Sequence, residues 1–499
     1  MSNHLADIAA AHLEGIDLSY RAPDLPYDIR ERLPEPILDR HPDWLDLYWR
    51  AWSIAYDQVS EPTPGSGLVP FCDAAFSKNL FQWDTCFMMQ FLRYAHEPFE
   101  GYGSLDNFYL KQHDDGFICR EIDSVSGDDF WPRSHLSSVN PPLFADAEWA
   151  LYCVTADVER LAAVFEPLCR YDAWLNENRR VTDGIGFWTT ALGSGMDNSP
   201  RAHAMGGQDV HEPYGYTWMC MTAQQALAAH RLSCIAQVLG ETNRARQFSA
   251  QFERLRRYVV EQFWDDDSGC YVDVMPNGAL SRVLTPAMCW PLLLDGHPEA
   301  RGRRVVSALL DESKFWRSHA PSSLSVDHPL YDETGDYWRG SVWPPMVYLA
   351  ARAMRACGER NSARRLAQRH LENLSAVFGQ TGTFWENYRA ESADPGVIAR
   401  PEFVGWTGCG PIAMLLEDII GIEVSAPDRL VTWNLDTTQR SGVRRLPVGK
   451  DQVDLEFDPE CGQLSVGASG AIDVEIIQGS DRQRFIGVKG RRDISLAQR

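Results

Sequence analysis

The sequence predicts a mainly α fold: a toroid of helical hairpins followed by a small antiparallel β module. Three observations predict it. Amphipathic helical segments recur from about residue 40 to 425, long loops rich in Gly, Pro, Asp and Trp alternate with them, and a period-two pattern takes over after Pro427. Loops this long inside a compact domain are usually functional. If they all open on one face, the active site lies at that mouth of the toroid.

The first segment, residues 1–40, is rich in proline and charge, and we expect an extended N-terminal arm. It has acidic residues early and no basic stretch followed by an apolar one, so no signal peptide is predicted. No run of about 18 apolar residues occurs in the chain, which predicts no membrane-spanning helix. We therefore expect a cytoplasmic protein.

Helical periodicity predicts a catalytic domain over residues 41–426. Gly240 and Gly358 each stand between two consecutive helices, and breaks this short make antiparallel neighbours. The predicted helices are 43–57, 82–95, 144–156, 159–178, 216–238, 241–263, 300–311, 341–356, 361–377 and 409–420.

The pattern changes in residues 427–499. RLVTWNL, VDLEFD, GQLSVGAS and AIDVEIIQ alternate polar and apolar residues, with Gly and Asp turns between them. This segment is predicted to be a small, β-sandwich-like antiparallel module packed on the helical domain.

Composition narrows the class of function. The net charge of −22 argues against a nucleic-acid-binding protein and against docking on anionic membranes, since both need a basic face. The twelve cysteines include no CxxC pair, which favours reduced core cysteines over disulfides or zinc. Asp265-Asp266-Asp267 with Gly269 lacks the full calcium-loop pattern and is interpreted as a solvated turn. We expect no metal and no cofactor, while a homo-oligomer stays open.

Seventeen tryptophans are present, many of them beside polar residues and glycines. Aromatic faces stack well on sugar C–H faces, so we favour sugar binding over an unusually wide core. The tryptophans in question are Trp83, Trp188, Trp338, Trp343, Trp385 and Trp406.

Acidic residues recur in loops with aromatic and glycine neighbours. The segments are FQWD (81–84), GMDNSPR (195–201), YWRG (337–340) and FWENY (384–388). Hydrolysis of a glycosidic bond needs one carboxylic acid to protonate the leaving oxygen and one carboxylate on the opposite face. Aromatic walls keep a carboxyl protonated near neutral pH by desolvation. Asp197 and Glu386 both have such neighbours.

Together and in this order, GMDNSPR, YWRGSVWPP and FWENY resemble glycoside hydrolase family 63 and its relatives, the trehalases and the mannosylglycerate and glucosylglycerate hydrolases. The resemblance runs from about Phe81 to Trp406. It implies an (α/α)6 barrel that hydrolyses α-linked sugars with inversion, Asp197 being the catalytic acid and Glu386 the catalytic base. The substrate-binding positions it favours are Phe81, Trp83, Asp84, Gln112, Gly195, Tyr216, Tyr337, Trp338, Arg339, Trp343, Tyr388 and Trp406.

Structural roles compete with these functional ones. Asp197 could hold Arg201 in place or cap a helix, and Asp84 begins an apolar run that it could cap. Arg339 could form a structural ion pair, and Trp343 could belong to the core.

The substrate is predicted as a small α-glucoside or α-mannoside, such as a disaccharide or a glycosylglycerate. The stretch from Asp84 to Gln112 is too short for the long lid of the glycerate-linked hydrolases, while residues 118–142 could supply a different wall. Two other functions stay open: a sugar epimerase or isomerase that uses histidines on the same barrel, and a carbohydrate-binding protein without catalysis.

Overall fold

The computed structural model describes residues 19–72, 79–99, 103–201 and 209–495. Residues 1–18 of the predicted arm lie outside the described residues. The α-helices are α1 (Tyr27–Arg30), α2 (Pro42–Asp57), α3 (Gln82–Leu92), α4 (Gly103–Leu110), α5 (Phe144–Thr155), α6 (Val158–Asn178), α7 (Met219–Val238), α8 (Thr242–Gln262), α9 (Glu299–Leu309), α10 (Pro344–Ala356) and α11 (Arg360–Thr381). The 3-10 helices are Arg93–Ala95, Leu192–Ser194, Pro286–Leu293, Tyr337–Arg339 and Thr407–Cys409, and Gly410–Ile420 is a π-helix.

Helices of an inner layer follow one another in a closed series. α3 packs on α5, α5 on α7, and α7 on the 3-10 helix Pro286–Leu293; α10 comes next, then the π-helix, which returns to α3. The inner position of α7 agrees with its sequence, which is mostly apolar or small, and 15 of its 20 residues are buried.

Other helices cover this layer from outside. α8 packs on α7, α6 on α5 and α7, α4 on α3, α9 on the 3-10 helix Pro286–Leu293, and α11 on α10 and the π-helix. α2 lies against the π-helix and α11. α8 buries only one stripe, formed by Ala245, Phe252, Leu255 and Val259, as an amphipathic helix on a surface should.

The two predicted hairpins are confirmed. Gly240 and Gly358 lie between α7 and α8 and between α10 and α11, with φ of +75° and +77°, in the left-handed region where glycine carries no Cβ penalty. The prediction was wrong in two places. Residues 103–110, assigned to a loop, form α4, and Pro286–Leu293 was missed because its two prolines break helical periodicity and favour a 3-10 turn.

The C-terminal strands are β8 (Ile422–Ser425), β9 (Leu430–Asn434), β10 (Ser441–Val448), β11 (Asp451–Asp458), β12 (Gln463–Gln478) and β13 (Asp481–Ser495). They join one sheet with β1 (Glu35–Leu38), in the order β1-β10-β11-β12-β9-β8, with β13 also pairing with β12. The antiparallel prediction needs a correction, since β9 and β12 run parallel. The arm also contributes a strand, and the first strand of the module precedes residue 427.

The sheet packs on the C-terminal ends of inner helices. The amides of Ala426 and Gly449 donate to the carbonyls of Cys153 and Val154, at the end of α5, both at 2.7 Å. The indole Nε1 of Trp433 donates to the carbonyl of Ile420 at 2.9 Å, at the end of the π-helix. Helix-terminal carbonyls that lack partners within the helix are thus satisfied by the module.

The remaining strands form short two-stranded antiparallel sheets: β2 (Val59–Ser60) with β3 (Phe71–Cys72), β4 (Leu80–Phe81) with β5 (Glu121–Ile122), and β6 (Trp264–Asp265) with β7 (Cys270–Tyr271). All twelve cysteines fall in the described ranges and are free thiols. Among the described helices, none is long and apolar enough to span a membrane. The cytoplasmic location stays a prediction.

Candidate active site

The pairing of β4 with β5 brings the start of α3 beside the loop that follows residue 118. Phe81 pairs with Glu121, and the Gln82 amide donates to the Arg120 carbonyl at 2.9 Å. Asp84 is buried in the first turn of α3, whose N-cap residue is Phe81. The N-cap alternative for Asp84 is therefore wrong, and its carboxyl is left to face the site.

The Asp197 loop follows the 3-10 helix Leu192–Ser194. Arg120 holds this turn, because its Nη1 donates to the Leu192 carbonyl at 2.8 Å. Gly195 has a φ of +80°, and a Cβ there would stand 2.9 Å from ring carbons of Trp83. Glycine is thus required both by the backbone conformation and by the close approach of an indole.

Asn198 ties the Asp197 loop to the Tyr337–Arg339 turn. Its Oδ1 accepts from the Trp338 amide at 2.7 Å, and its Nδ2 donates to the Asp336 carbonyl at 3.2 Å. Arg339 donates from Nε to the Asn198 carbonyl at 3.1 Å and pairs with Asp336 at 3.7 Å. The structural ion pair considered for Arg339 is therefore present, and it acts between two site loops.

Arg201 is held by Asp273 and not by Asp197. The guanidinium makes a bidentate pair with Asp273 at 2.7 and 2.6 Å, and both residues are buried. Asp273 also accepts from the Met219 amide at 2.8 Å, at the start of α7. The alternative role considered for Asp197, that of holding Arg201, is therefore not supported.

Glu386 lies on a backbone segment that is fixed on both sides. Its amide donates to the Arg400 carbonyl at 2.9 Å, and the Arg400 amide donates to Glu386 Oε2 at 3.3 Å. Trp406 Nε1 donates to the Glu386 carbonyl at 2.8 Å, and the Tyr337 hydroxyl lies 3.4 Å from Oε1. The side chain is 2% exposed.

Three carboxyl groups and one phenol converge in this site. Burial raises the pKa of Asp197 to about 6, with the nearby Arg120 opposing the rise. Burial, together with the charges of Asp84 and Asp197, raises the pKa of Glu386 to about 8. Burial also raises the pKa of Asp84 well above its ordinary value. Carboxyl groups this close cannot all ionise, so the site keeps a proton near neutral pH.

Tryptophans form a packed floor beside these carboxyls. Trp338 stacks on Trp343 with ring centroids 4.0 Å apart, and Trp83 contacts both Trp338 and Trp406. All four are buried. Trp343 therefore belongs to the core, and both it and Trp338 give one ring face to the other, which leaves less aromatic surface for sugar stacking than the sequence suggested.

Three other residues that were predicted to bind substrate make their contacts within the protein. Gln112 donates to the carbonyls of Gly116 and Pro167, at 3.0 and 2.9 Å, and the structure does not bring it among the carboxyls. Tyr388 accepts from the Trp385 amide at 2.9 Å, which closes the Glu386 turn. Tyr216 is buried beside Trp218, and its hydroxyl has no hydrogen-bond partner among the described residues.

The remaining predicted tryptophans lie elsewhere. Trp188 is covered by the Arg179 guanidinium, 4.2 Å from its ring centroid. Trp385 donates from Nε1 to the Thr381 hydroxyl at 3.0 Å. Sugar stacking has no support from the structure at either position.

Comparison with known families decides the chain's membership. The family described as mannosylglycerate hydrolase MGH1-like glycoside hydrolase domain matches residues 78–403, more than half of the chain. The chain belongs to this family. The resemblance inferred from GMDNSPR, YWRGSVWPP and FWENY is thereby confirmed, and the protein is a glycoside hydrolase.

Relatives of this glycoside hydrolase differ in coverage. An uncharacterized protein of Borreliella burgdorferi is 24% identical over 433 residues, 83% of this chain and 87% of that protein. A probable mannosyl-oligosaccharide glucosidase of Schizosaccharomyces pombe is 25% identical over 259 residues, 48% of this chain and 31% of that one. The chain thus matches less than a third of the length of that glucosidase.

A solved structure shares the fold of the glycoside hydrolase. It is the GH63 mannosylglycerate hydrolase from Thermus thermophilus in complex with glucose, with a TM-score of 0.58 and 19% identity. The match covers 74% of this chain and 99% of that one.

Sequence reasoning missed three residues of the hydrolase site. Arg120, in the 118–142 segment, is the cation beside Asp84 and Asp197. Asn198 lay inside a motif that was already singled out, whereas Arg400 carried no signal because its backbone acts. In the ranges that the structure describes, no cluster of His, Cys, Asp or Glu side chains could hold a metal ion. That the enzyme needs no metal or cofactor stays a prediction.

Proposed function

We propose that this enzyme is an inverting α-glycosidase that acts on a small α-glucoside or α-mannoside, with Asp197 as acid and Glu386 as base. The convergence of Asp84, Asp197, Glu386 and Tyr337 is the observation that carries the proposal. The charges of Asp84 and Asp197 raise the pKa of Glu386. All three carboxyls raise the pKa of Tyr337, whose hydroxyl lies 3.4 Å from Glu386 Oε1. Such a cluster can hold one proton and one negative charge at the same time.

The proposed reaction is a single displacement. Asp197 donates its proton to the glycosidic oxygen as the bond from that oxygen to the anomeric carbon breaks. Glu386 takes a proton from the water that attacks the anomeric carbon from the opposite face. The products are the free leaving group and a sugar of inverted anomeric configuration.

An (α/α)6 barrel is part of the proposal. The closed series from α3 through the π-helix and the outer helices that cover it support this architecture. The mannosylglycerate hydrolase of the same fold was solved with glucose, which supports a hexose-binding pocket. The histidine-dependent epimerase and the inactive binding protein are disfavoured, because the family is one of hydrolases and both carboxyls are present.

The order of the pKa values needs a test of its own. Glu386 has the higher pKa, at about 8 against about 6 for Asp197, so Glu386 holds the proton more firmly. The role assignment, by contrast, comes from the motifs. A substrate that positions the leaving oxygen next to one carboxyl decides which of them donates.

Glycosyl fluorides separate the two roles, because fluoride leaves without being protonated. Asp197→Asn should lower kcat on an α-disaccharide by about 10²–10⁴-fold and lower it far less on the α-glycosyl fluoride. Glu386→Gln should lower kcat on both substrates, since the attacking water loses its base. The reverse pattern would exchange the roles.

Product stereochemistry tests inversion. Proton NMR of early product should show the β-anomer released from an α-glycoside by the wild-type enzyme, and release of the α-anomer would contradict inversion. The screen should include trehalose, kojibiose, glucosylglycerate and mannosylglycerate, with release of the monosaccharide as the measurement.

A further inference from the structure

The 118–142 segment carries a group of rings that the proposed reaction does not use. Trp131 lies 4.9 Å from His135 and 5.8 Å from His211, and the two imidazoles meet edge to face at 4.8 Å. All three side chains are partly exposed, and Phe130 beside them is 52% exposed. We call Trp131, His135 and His211 the ring wall.

The ring wall is joined to the carboxyl site through Arg120. The Arg120 guanidinium lies 5.8 Å from the Trp131 ring centroid and interacts electrostatically with Asp84 and Asp197. Trp131 Nε1 also donates to Glu121 at 2.8 Å, and Glu121 precedes the strand residue paired with Leu80. The Arg120 guanidinium therefore interacts both with the ring wall and with Asp197, the proposed acid.

The ring wall is also fixed to the loop that leads to Asp197. Ser137 shares hydrogen bonds with the Thr190 hydroxyl at 2.7 Å and with His211 Nδ1 at 3.2 Å. Thr190 in turn accepts from the Gly193 amide at 2.8 Å. The ring wall is thus tied by hydrogen bonds to the turn that precedes Asp197.

The charges around the wall favour a neutral ligand. Arg120 is engaged with the Leu192 carbonyl and with the site carboxyls, and Arg133 is paired with Asp115. Both guanidinium groups in residues 118–142 are therefore already paired with other groups of the protein. Indole and imidazole faces suit the C–H face of a sugar, and ring nitrogens suit its hydroxyls.

We propose that the ring wall receives the leaving group and that this leaving group is a neutral sugar ring. The inference rests on the proposed hydrolysis and adds to it the chemical class of the substrate beyond the scissile bond. An anionic leaving group such as glycerate would find no uncommitted guanidinium among the described residues of this wall.

Trp131→Ala is the direct test, with two substrates that differ only in the leaving group. KM for the neutral disaccharide that the wild-type enzyme cleaves best, trehalose or kojibiose, should rise by about tenfold, the loss expected for one aromatic contact. kcat/KM for the α-glycosyl fluoride should stay unchanged, because fluoride does not reach the wall. Trp131→Phe, which keeps a ring, should recover most of the disaccharide KM.

The matched control is Trp49→Ala. Trp49 is also partly exposed and also covered by a guanidinium, that of Arg30 at 4.1 Å, and it should leave both substrates unaffected. If Trp131→Ala changes the two substrates equally, the wall has only a structural role and the inference fails while the hydrolase assignment stands. Faster wild-type cleavage of glucosylglycerate or mannosylglycerate than of the neutral disaccharides would also overturn it. A wild-type enzyme that cleaves no glycosyl fluoride would remove the proposed function and the inference together.

Discussion

Neighbouring groups affect the ionisation of Asp197 and Glu386 differently. Asp197 is partly exposed and lies near the Arg120 guanidinium, which favours its ionised form. Glu386 is fully buried, and the charges of Asp84 and Asp197 disfavour its ionisation. The hydrogen bond from the Arg400 amide and the charge of Arg400 lower the pKa of Glu386, but they offset this only in part. Over a range around neutral pH, the pair therefore carries one charge and one proton.

This difference predicts a bell-shaped dependence of kcat/KM on pH. Below about 6 the carboxyl with the lower pKa is protonated, so no carboxylate remains to activate water. Above about 8 both carboxyls are ionised, and none can protonate the leaving oxygen. The two limbs belong to the coupled pair and not to either residue. With the α-glycosyl fluoride, kcat/KM should no longer fall at alkaline pH. A kcat/KM on the disaccharide that does not depend on pH would contradict the assignment of an acid and a base.

At the scale of elements, the site lies where inner helices begin. Asp84 is in the first turn of α3, Trp343 is the N-cap residue of α10, and Trp406 precedes the helical turns that lead into the π-helix. Helix N-termini carry unpaired amides and partial positive charge, which favours carboxylates nearby. The loops that carry Asp197 and Glu386 are attached to these ends by Asn198, Arg201 and Trp406.

The Arg201–Asp273 pair links the Asp197 loop to the start of α7. Asp273→Asn removes a buried charge opposite Arg201, and leaving that guanidinium uncompensated should cost about 3–5 kcal/mol of stability. The thermal midpoint should fall, and kcat should fall with it because the Asp197 loop loses its anchor. Arg303→Ala is the control, since Arg303 pairs with Glu299 on the exposed face of α9 and should change the midpoint little. Equal effects from the two variants would contradict this role.

Element predictions succeeded where one physical signal dominated. α2, α5, α6 and α8 follow helical periodicity, and their bounds agree with the prediction within about two residues. Pro286–Leu293 and α4 were missed because prolines mask one and the other is too short for two clear turns. β1 was missed for another reason: its partner β10 lies about 400 residues away, and no local pattern reports that pairing.

At the scale of the whole molecule, the site and the β module occupy opposite ends of the inner helices. The module contacts the last turns of α5 and the π-helix, while Asp84 lies in the first turn of α3. The Asp197 loop is joined to the start of α7 through Arg201 and Asp273. The proposed chemistry thus lies at one end of the inner helices, and the hydrogen bonds to their terminal carbonyls lie at the other end.

This separation predicts that the module supports stability and not catalysis. Trp433 is completely buried between the sheet and the π-helix, so Trp433→Ala should cost about 3–5 kcal/mol and lower the thermal midpoint. The fraction that stays folded should keep the wild-type KM and kcat at low temperature. Ile486→Ala, on the exposed face of β13, should leave the midpoint unchanged. A changed KM in Trp433→Ala would show that the module reaches the site.

The sequence by itself determined the alternation of helices and loops, the period-two pattern of the C-terminal segment, the family motifs and the two carboxyls. Each of these signals is contained in a short stretch of chain. Only the tertiary structure decided which groups meet: Arg120 beside Asp84 and Asp197, Arg201 on Asp273, Trp338 on Trp343, and Gln112 away from the carboxyls. The physical reason is that pKa values, ion pairs and ring contacts depend on distances in space, which separation along the chain does not encode.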